Sequence, residues 1–436
     1  MSKLTSTNRE ILKIAVPSII SNITVPLLGL VDTAIVGHLG AAAYIGAIAV
    51  GGMLFSMIYW IFGFLRMGTG GLTAQAFGRN DKAECMRTLL RSAIVSLIIA
   101  VALITLQLPI RMFAFLLIDA SEEVRLYAST YFHICIWGAP AALGLYSFTG
   151  WFIGMQNSRF PMIIAISQNI INIAASLAFV FGMGMKVEGV ALGTLIAQYS
   201  GLIMAILLWN RKYSYLNKNI DLGKALDRVA MLRFFKVNRD IFLRTLCLVA
   251  VTVFFTSTGA AYGDIVLAVN TLMMQLFTLF SYIMDGFAYA GEALVGKHIG
   301  ARNKVALNDT MRKLYVWGIG MATLFTLLYL LGGKGFLALL TDDVQVIEAS
   351  GKYFYWAVAI PIASFLAFLL DGFCVGATAT NLMLRAMFTA ALTFFIVYFA
   401  LRSQLGNHAL WLAFISYLAV RGIVQTISFK KVKSEE

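Results

Sequence analysis

Gly78-Arg79-Asn80-Asp81-Lys82 is answered about 222 residues later by Gly300-Ala301-Arg302-Asn303-Lys304. From the first glycine the chain runs on to Thr88, Tyr131-Phe132, Pro140, Gly150 and Gly154; from the second it runs on to Thr310, Tyr353-Phe354, Pro361, Gly372 and Gly376. An ordered series that falls at matching places in the hydrophobic pattern marks an internal duplication. Outward from these landmarks the chain is apolar almost throughout.

Apolar residues make up 60% of the 436 and charged residues 13%, about half the charge of an ordinary soluble protein. Hydrophobic stretches of about 20 residues, enough to cross about 30 Å of hydrocarbon, recur from end to end. The reading is an all-α polytopic membrane protein with twelve spans: Ile11–Gly37, Ala43–Leu65, Leu89–Leu108, Val124–Phe152, Met162–Met183, Val190–Trp209, Ile241–Thr258, Ile265–Leu294, Leu314–Leu331, Tyr353–Val375, Leu382–Leu401 and Ala409–Phe429. The expected organisation is a six-helix lobe over residues 1–212, a basic connection over 213–239 and a second six-helix lobe over 240–436. An even number of spans per lobe makes the repeat parallel, and duplicated polytopic halves point to a transport path between lobes.

Most of the 34 basic residues fall on the side that holds the termini and the central connection. Only Arg111, Arg125, Lys186, Lys334, Lys352 and Arg402 fall opposite, with Arg66 and Arg244 inside spans. This bias places both termini in the cytoplasm. It also ascribes the net charge of +13 to topology and anionic headgroups rather than to nucleic acid. The four cysteines, Cys85, Cys135, Cys247 and Cys374, have no paired spacing, so neither a disulfide framework nor a metal site is expected. No cleavable signal is read at the N-terminus. In the connection, apolar Leu226, Val229, Met231, Leu232, Phe234 and Phe235 mix with Arg228, Arg233, Lys236 and Arg239. The preferred reading is a basic amphipathic segment on the inner leaflet, the alternative an early start to the seventh span.

An ionised group at the bilayer centre costs at least about 2.5–3.5 kcal/mol, so intramembrane charges are functional candidates. Asp32 leads them. It follows Pro26 and Gly29 in Val25-Pro26-Leu27-Leu28-Gly29-Leu30-Val31-Asp32 and has no basic residue near it in sequence. Pro26 removes a backbone donor and Gly29 resists bending little, so this helix can take two shapes close in energy. Desolvation disfavours a carboxylate anion, which makes proton exchange feasible there. The bland alternative puts Asp32 at the outer end of the span, solvated and idle. Asn169, Asn172 and Ser176 share a face of the fifth span, and Thr194 and Gln198 a face of the sixth. Such residues serve helix-to-helix hydrogen bonding or, around an acid, the gating of its protonation. In the second lobe Asp285, Tyr289 and Glu292 share one helical face, and Asp371 lies in the tenth span. Arg244 could neutralise one of these acids or pair with Asp240; a structural ion pair and a transport role both remain open. His133 reads as a core histidine. Gly291 to Lys297 has phosphate-loop spacing, but His298 replaces the hydroxyl residue and no strand precedes it. The Gly150/Gly154 and Gly372/Gly376 pairs have the spacing of close helix contacts.

These residues together resemble the multidrug and toxic compound extrusion (MATE) family, in its DNA-damage-inducible-protein-F-like branch. The likeness is carried by Pro17 and Pro26 ahead of Gly29 to His38, by Gly71 to Gly78, Asn238 to Arg244, Asp285 to Ala290, Leu370-Asp371-Gly372 and Gly406 to Trp411. The resemblance implies two six-helix bundles forming a V-shaped cavity and ion-driven export of amphipathic, often cationic compounds. It places the family's first-span acid on Asp32, its fifth-span asparagine on Asn172 and its sixth-span threonine on Thr194, with Pro17, Pro26 and Gly29 where the helix bends. Many relatives carry an aspartate where this chain has Ser176, so a sodium-binding version of the site is doubtful. The expectation is a monomeric, proton-coupled multidrug antiporter of a bacterial inner membrane, without cofactor, metal or catalytic residues. The proton-coupling residues are Asp32, Asn172, Ser176 and Thr194. The rivals are a lipid or lipid-linked sugar flippase, a sodium-coupled drug antiporter and an intramembrane enzyme, for which no motif is present.

Overall fold

The computed structural model describes residues 2–117, 121–338, 340–341 and 343–435, and helix is the only regular structure among them. The helices are α1 (Ser2–Gly37), α2 (Ala42–Ile61), α3 (Phe64–Gly78), α4 (Lys82–Thr105), α5 (Gln107–Leu117), α6 (Glu122–Cys135), α7 (Ala139–Gly154), α8 (Arg159–Leu177), α9 (Val187–Tyr213), α10 (Leu222–Ala225), α11 (Arg228–Ala261), α12 (Asp264–Gly300), α13 (Lys304–Ala338), α14 (Val344–Ser350), α15 (Phe354–Gly376), α16 (Thr380–Leu405) and α17 (Asn407–Glu435). Among the described residues, 11 helical stretches are long and apolar enough to cross a membrane. The twelfth expected span, the fourth in order, is cut by a 3₁₀ turn at Ile136–Gly138 into helices of 14 and 16 residues. Pro140 follows that turn and cannot donate to it, and a side chain at Gly138 would collide with Gln198. The second span also differs from expectation: α2 stops at Phe62 and the chain continues helically to Gly78.

The chain divides into two compact units, Ile20–Phe235 and Met1–Ile19 with Lys236–Glu436. Each takes in the opening turns of the other half's first helix. In the second unit the start of α1 is held by Thr7 on Asp309 (2.7 Å), Glu10 on Lys297 (3.3 Å) and Asn8 on Trp317 (3.3 Å). In the first unit the start of α11 is held by Arg233 on Gln75 (3.2 Å). Residues 228–239 therefore belong to the seventh helix, and the preferred amphipathic surface segment is replaced by the early start. The rest of the connection is a 3₁₀ stretch, Ser214–Asn219, and the single turn of α10, whose Ala225 carbonyl accepts from buried Arg91 (2.6 Å).

Within each unit the duplication is visible in the backbone. Asn80 and Arg302 end α3 and α12 in the left-handed region, with φ of 57° and 51°, and Gln156 and Thr378 end α7 and α15 with φ of 62° and 53°. Each sits inside the same six-residue cap: Asp81 N–H to Ala76 O and Asn303 N–H to His298 O, Asn157 N–H to Phe152 O and Ala379 N–H to Cys374 O. The glycine pairs repeat as well. A Cβ on Gly150 would strike the Arg66 carbonyl and one on Gly372 the Ala288 carbonyl; Gly154 and Gly376 face the carbonyls of Gly70 and Glu292 in the same way. Backbone-on-backbone packing of α7 on α3 and of α15 on α12 explains why those four positions carry no side chain.

Candidate functional site

In the first unit Asp32 is buried, 4% exposed, near the end of α1, which excludes the solvated reading. Thr194 on α9 lies beside its carboxylate, and Tyr131 and Cys135 on α6 lie within electrostatic reach. Thr194 accepts from the Asn172 amide (3.1 Å), and the Asn172 carbonyl oxygen accepts from Ser176 Oγ (3.4 Å). Both bonds point the same way, from Ser176 through Asn172 to Thr194, which lies beside the carboxylate. Oδ1 of Asp32 is buried without a partner. Among the described residues Asp32 has no ion-pair partner. An acid so placed can gain or lose a proton without breaking a salt bridge.

The fit around Ser176 is tight. A Cβ on Gly193 of α9 would collide with Ser176 Oγ and approach its backbone nitrogen to 2.9 Å. Asn169, one turn before Asn172, does not join the chain toward Asp32. Its amide donates instead to the backbone carbonyl of Thr24 on α1 (2.9 Å). α1 itself stays helical through Pro17, Pro26 and Gly29.

The second unit treats its acids differently. Asp371, on α15, is bound by the guanidinium groups of Arg244 on α11 and Arg421 on α17, and its other oxygen accepts from Gln425 (2.6 Å). Arg421 is 3% exposed, and Asp285 on α12 also acts on it electrostatically. Asp240 pairs with Arg239 (2.9 Å) and accepts from Thr380 (3.2 Å), not with Arg244. Glu292 is buried on α12, whereas Asp285 and Tyr289 on the same helix are half-buried. Asp371 is thus the acid that Arg244 neutralises. Arg421 and Gln425 escaped the sequence reading, because an arginine near the basic end of a span looks like a topology signal. His133 is exposed rather than in the core. No group of His, Cys, Asp and Glu able to hold a metal ion occurs among the described residues.

The MatE family model matches residues 17–178 and 241–399, one segment in each half of the duplication. The chain belongs to the MatE family. It is 38% identical to DNA damage-inducible protein F of Escherichia coli (strain K12), over 97% of this chain and 92% of that one. It is 22% identical to the probable multidrug resistance protein NorM of Thermotoga maritima, over 78% of this chain and 74% of that one. Among solved structures, a Vibrio cholerae MATE transporter in the bent form superposes with a TM-score of 0.87 at 16% identity, covering 100% of this chain and 99% of that one. MatE proteins are multi-pass membrane efflux transporters built from two bundles of helices, and the chain has that fold.

Proposed function

We propose that this MatE protein is a proton-coupled antiporter of a bacterial inner membrane. In this reading it exports amphipathic, often cationic organic compounds by alternating access as a monomer with both termini in the cytoplasm. The observation that carries the proposal is the contrast between two buried acids. Asp371 has two guanidinium partners, whereas Asp32 has no ion-pair partner among the described residues and lies beside the uncharged side chains of Thr194, Tyr131 and Cys135. A group can couple an ion to a conformational change only if its charge is free to vary. Asp32 meets that condition. Its protonation then biases the Pro26 segment of α1, so that ion and substrate each shift one equilibrium between two states.

A proton suits this site better than sodium. Sodium needs several oxygen lone pairs directed at one point, yet Thr194 Oγ1 and Asn172 Oδ1 already accept hydrogen bonds. Ser176 supplies no charge and has no room beside Gly193. In the second unit Asp371 is occupied by Arg244, Arg421 and Gln425, which disfavours that acid as a sodium ligand. The substrate class is supported by the likeness to the probable multidrug resistance protein of Thermotoga maritima and by the apolar composition.

The test uses inside-out vesicles and a cationic dye. An inward-acid pH gradient alone should drive uptake, a sodium gradient should add nothing, and Asp32→Asn should reach normal abundance with gradient-driven uptake lost. Uptake that follows sodium and ignores pH, or an Asn variant that transports normally, overturns the proposal. Lipid scrambling without dye transport would favour the flippase.

A further inference from the structure

α8 bears on α1 directly at one height and through α9 at another. Above, Asn169 donates to the Thr24 carbonyl; below, Asn172 donates to Thr194 of α9, which lies beside Asp32. Thr24 and Asp32 are about two turns apart along α1, and Pro26 and Gly29 lie between them. Several described side chains between the two contacts face away from the rest of the protein. Val25 is 64% exposed, Leu27 50% and Leu30 67%, and a side chain added at Gly29 would meet open space. Pro26 has no N–H to donate, so the helical ladder carries one hydrogen bond fewer in this stretch. Such a segment moves as its two ends dictate. The lower contact depends on the state of a carboxylate, whereas the upper one joins an uncharged amide to a backbone carbonyl and is the same at every pH.

We infer that Asn169 is a positioning residue for coupling: its bond to the Thr24 carbonyl is the fixed pin against which a change at Asp32 bends the Pro26–Gly29 segment. Without it a change at Asp32 is absorbed by residues 20–25 instead of by the bend. The groups facing Asp32 from the packed helices are Tyr131 and Cys135 on α6 and Thr194 on α9, with Asn172 and Ser176 of α8 behind Thr194. None is a cation, so the pin acts on the segment and not through a second charge.

The inference rests on Asp32 as the coupling acid, and two measurements separate the two claims. The first is hydrogen–deuterium exchange of α1 amides in nanodiscs, with Asn169→Leu, which keeps the bulk and loses the donor, and Asn169→Gln, which keeps a donor. Asn169→Leu should speed exchange over residues 20–34 about threefold, the factor set by one intramembrane hydrogen bond, with α12 unchanged and Asn169→Gln closer to the parent. This arm reads the pin whether or not Asp32 couples protons. The second is the pH profile of dye transport, whose midpoint should move by about half a pH unit in Asn169→Leu, the shift equivalent to that factor. The shift should disappear when Pro26→Ala stiffens the segment. Unchanged α1 exchange in an inserted Asn169→Leu protein overturns the pin. Faster exchange with transport lowered equally at every pH overturns its part in coupling. Loss of pH dependence from the parent itself would instead sink the Asp32 reading and leave the exchange result standing.

Discussion

Removing Asp371 should harm this protein more than removing either arginine that binds it. The asymmetry follows from charge counting. Asp371→Asn leaves the Arg244 and Arg421 guanidinium groups side by side with their shared anion gone, and Asp285 is the acid left to act on Arg421. The Asn amide also points a donor where Gln425 already offers one. Breaking a buried charge pair costs about 3–5 kcal/mol, which for a cooperative unit of roughly 200 residues lowers an apparent Tm by roughly 6–20 °C. By contrast Arg244→Gln or Arg421→Gln leaves Asp371 with one guanidinium, so one charged hydrogen bond is lost, about 1.5–3 kcal/mol or roughly 3–12 °C. Fluorescence-detected thermal unfolding of purified protein should therefore rank parent, single arginine variants and Asp371→Asn in falling order. Asp371→Asn combined with Arg421→Gln removes one of the two stranded cations and should recover part of the loss. An Asp371→Asn protein as stable as the parent, or a double variant worse than both singles, would refute the clamp.

Gly150→Ala and Gly372→Ala should each lower membrane abundance by the cost of overpacking, about 1–3 kcal/mol, because both press a methyl group into a carbonyl. Gly29→Ala, facing open space, should be inserted at parental levels on the same immunoblot. A single cysteine at Lys186 should react with an impermeant maleimide on intact cells, and one at Lys218 should react only after permeabilisation; equal reaction at both contradicts the orientation. Ser176→Asp should reduce yield without creating sodium-dependent uptake, since the space beside it is filled by Gly193. Sodium-driven transport by that variant would show that the site can open for a metal ion.

The duplication, the membrane class and the burial of Asp32 were legible in the sequence because each is a local signal: a spacing, a hydrophobic run, or a lone acid inside one. Partners were not. Arg244 and Asp371 are 127 residues apart, and nothing in either segment ranks Asp371 above Asp285, Glu292 or Asp240, since the choice depends on which helix faces lie together. Arg421 was hidden by its own chemistry, because the positive-inside rule accounts for a basic residue near a cytoplasmic helix end. The break at Ile136–Gly138 escaped for another reason: it depends on Gln198, 60 residues away, needing the space that Gly138 leaves.

The duplicated backbone carries unduplicated charge, and under the proposed reading this difference decides which half responds to protons. Counting about 222 residues from Asp32 reaches Phe254 and Phe255, which are packed edge-on among Phe394, Phe395, Tyr398 and Trp411. Counting back from Arg244, Asp371 and Arg421 reaches Asn22, Thr149 and Tyr199, so the clamp has no charged counterpart in the first unit. The shared caps and glycine contacts preserve the helix framework in both halves, while the side chains facing inward have diverged. The second half holds Asp371 between two permanent cations, where a change of protonation would cost an ion pair. The first sets Asp32 beside the Thr194 hydroxyl, with the Asn172 amide behind it, on a helix that carries Pro26 six residues earlier. Under the proposed reading, protonation therefore acts at Asp32 on one helix of one half, while Asp371 keeps its charge.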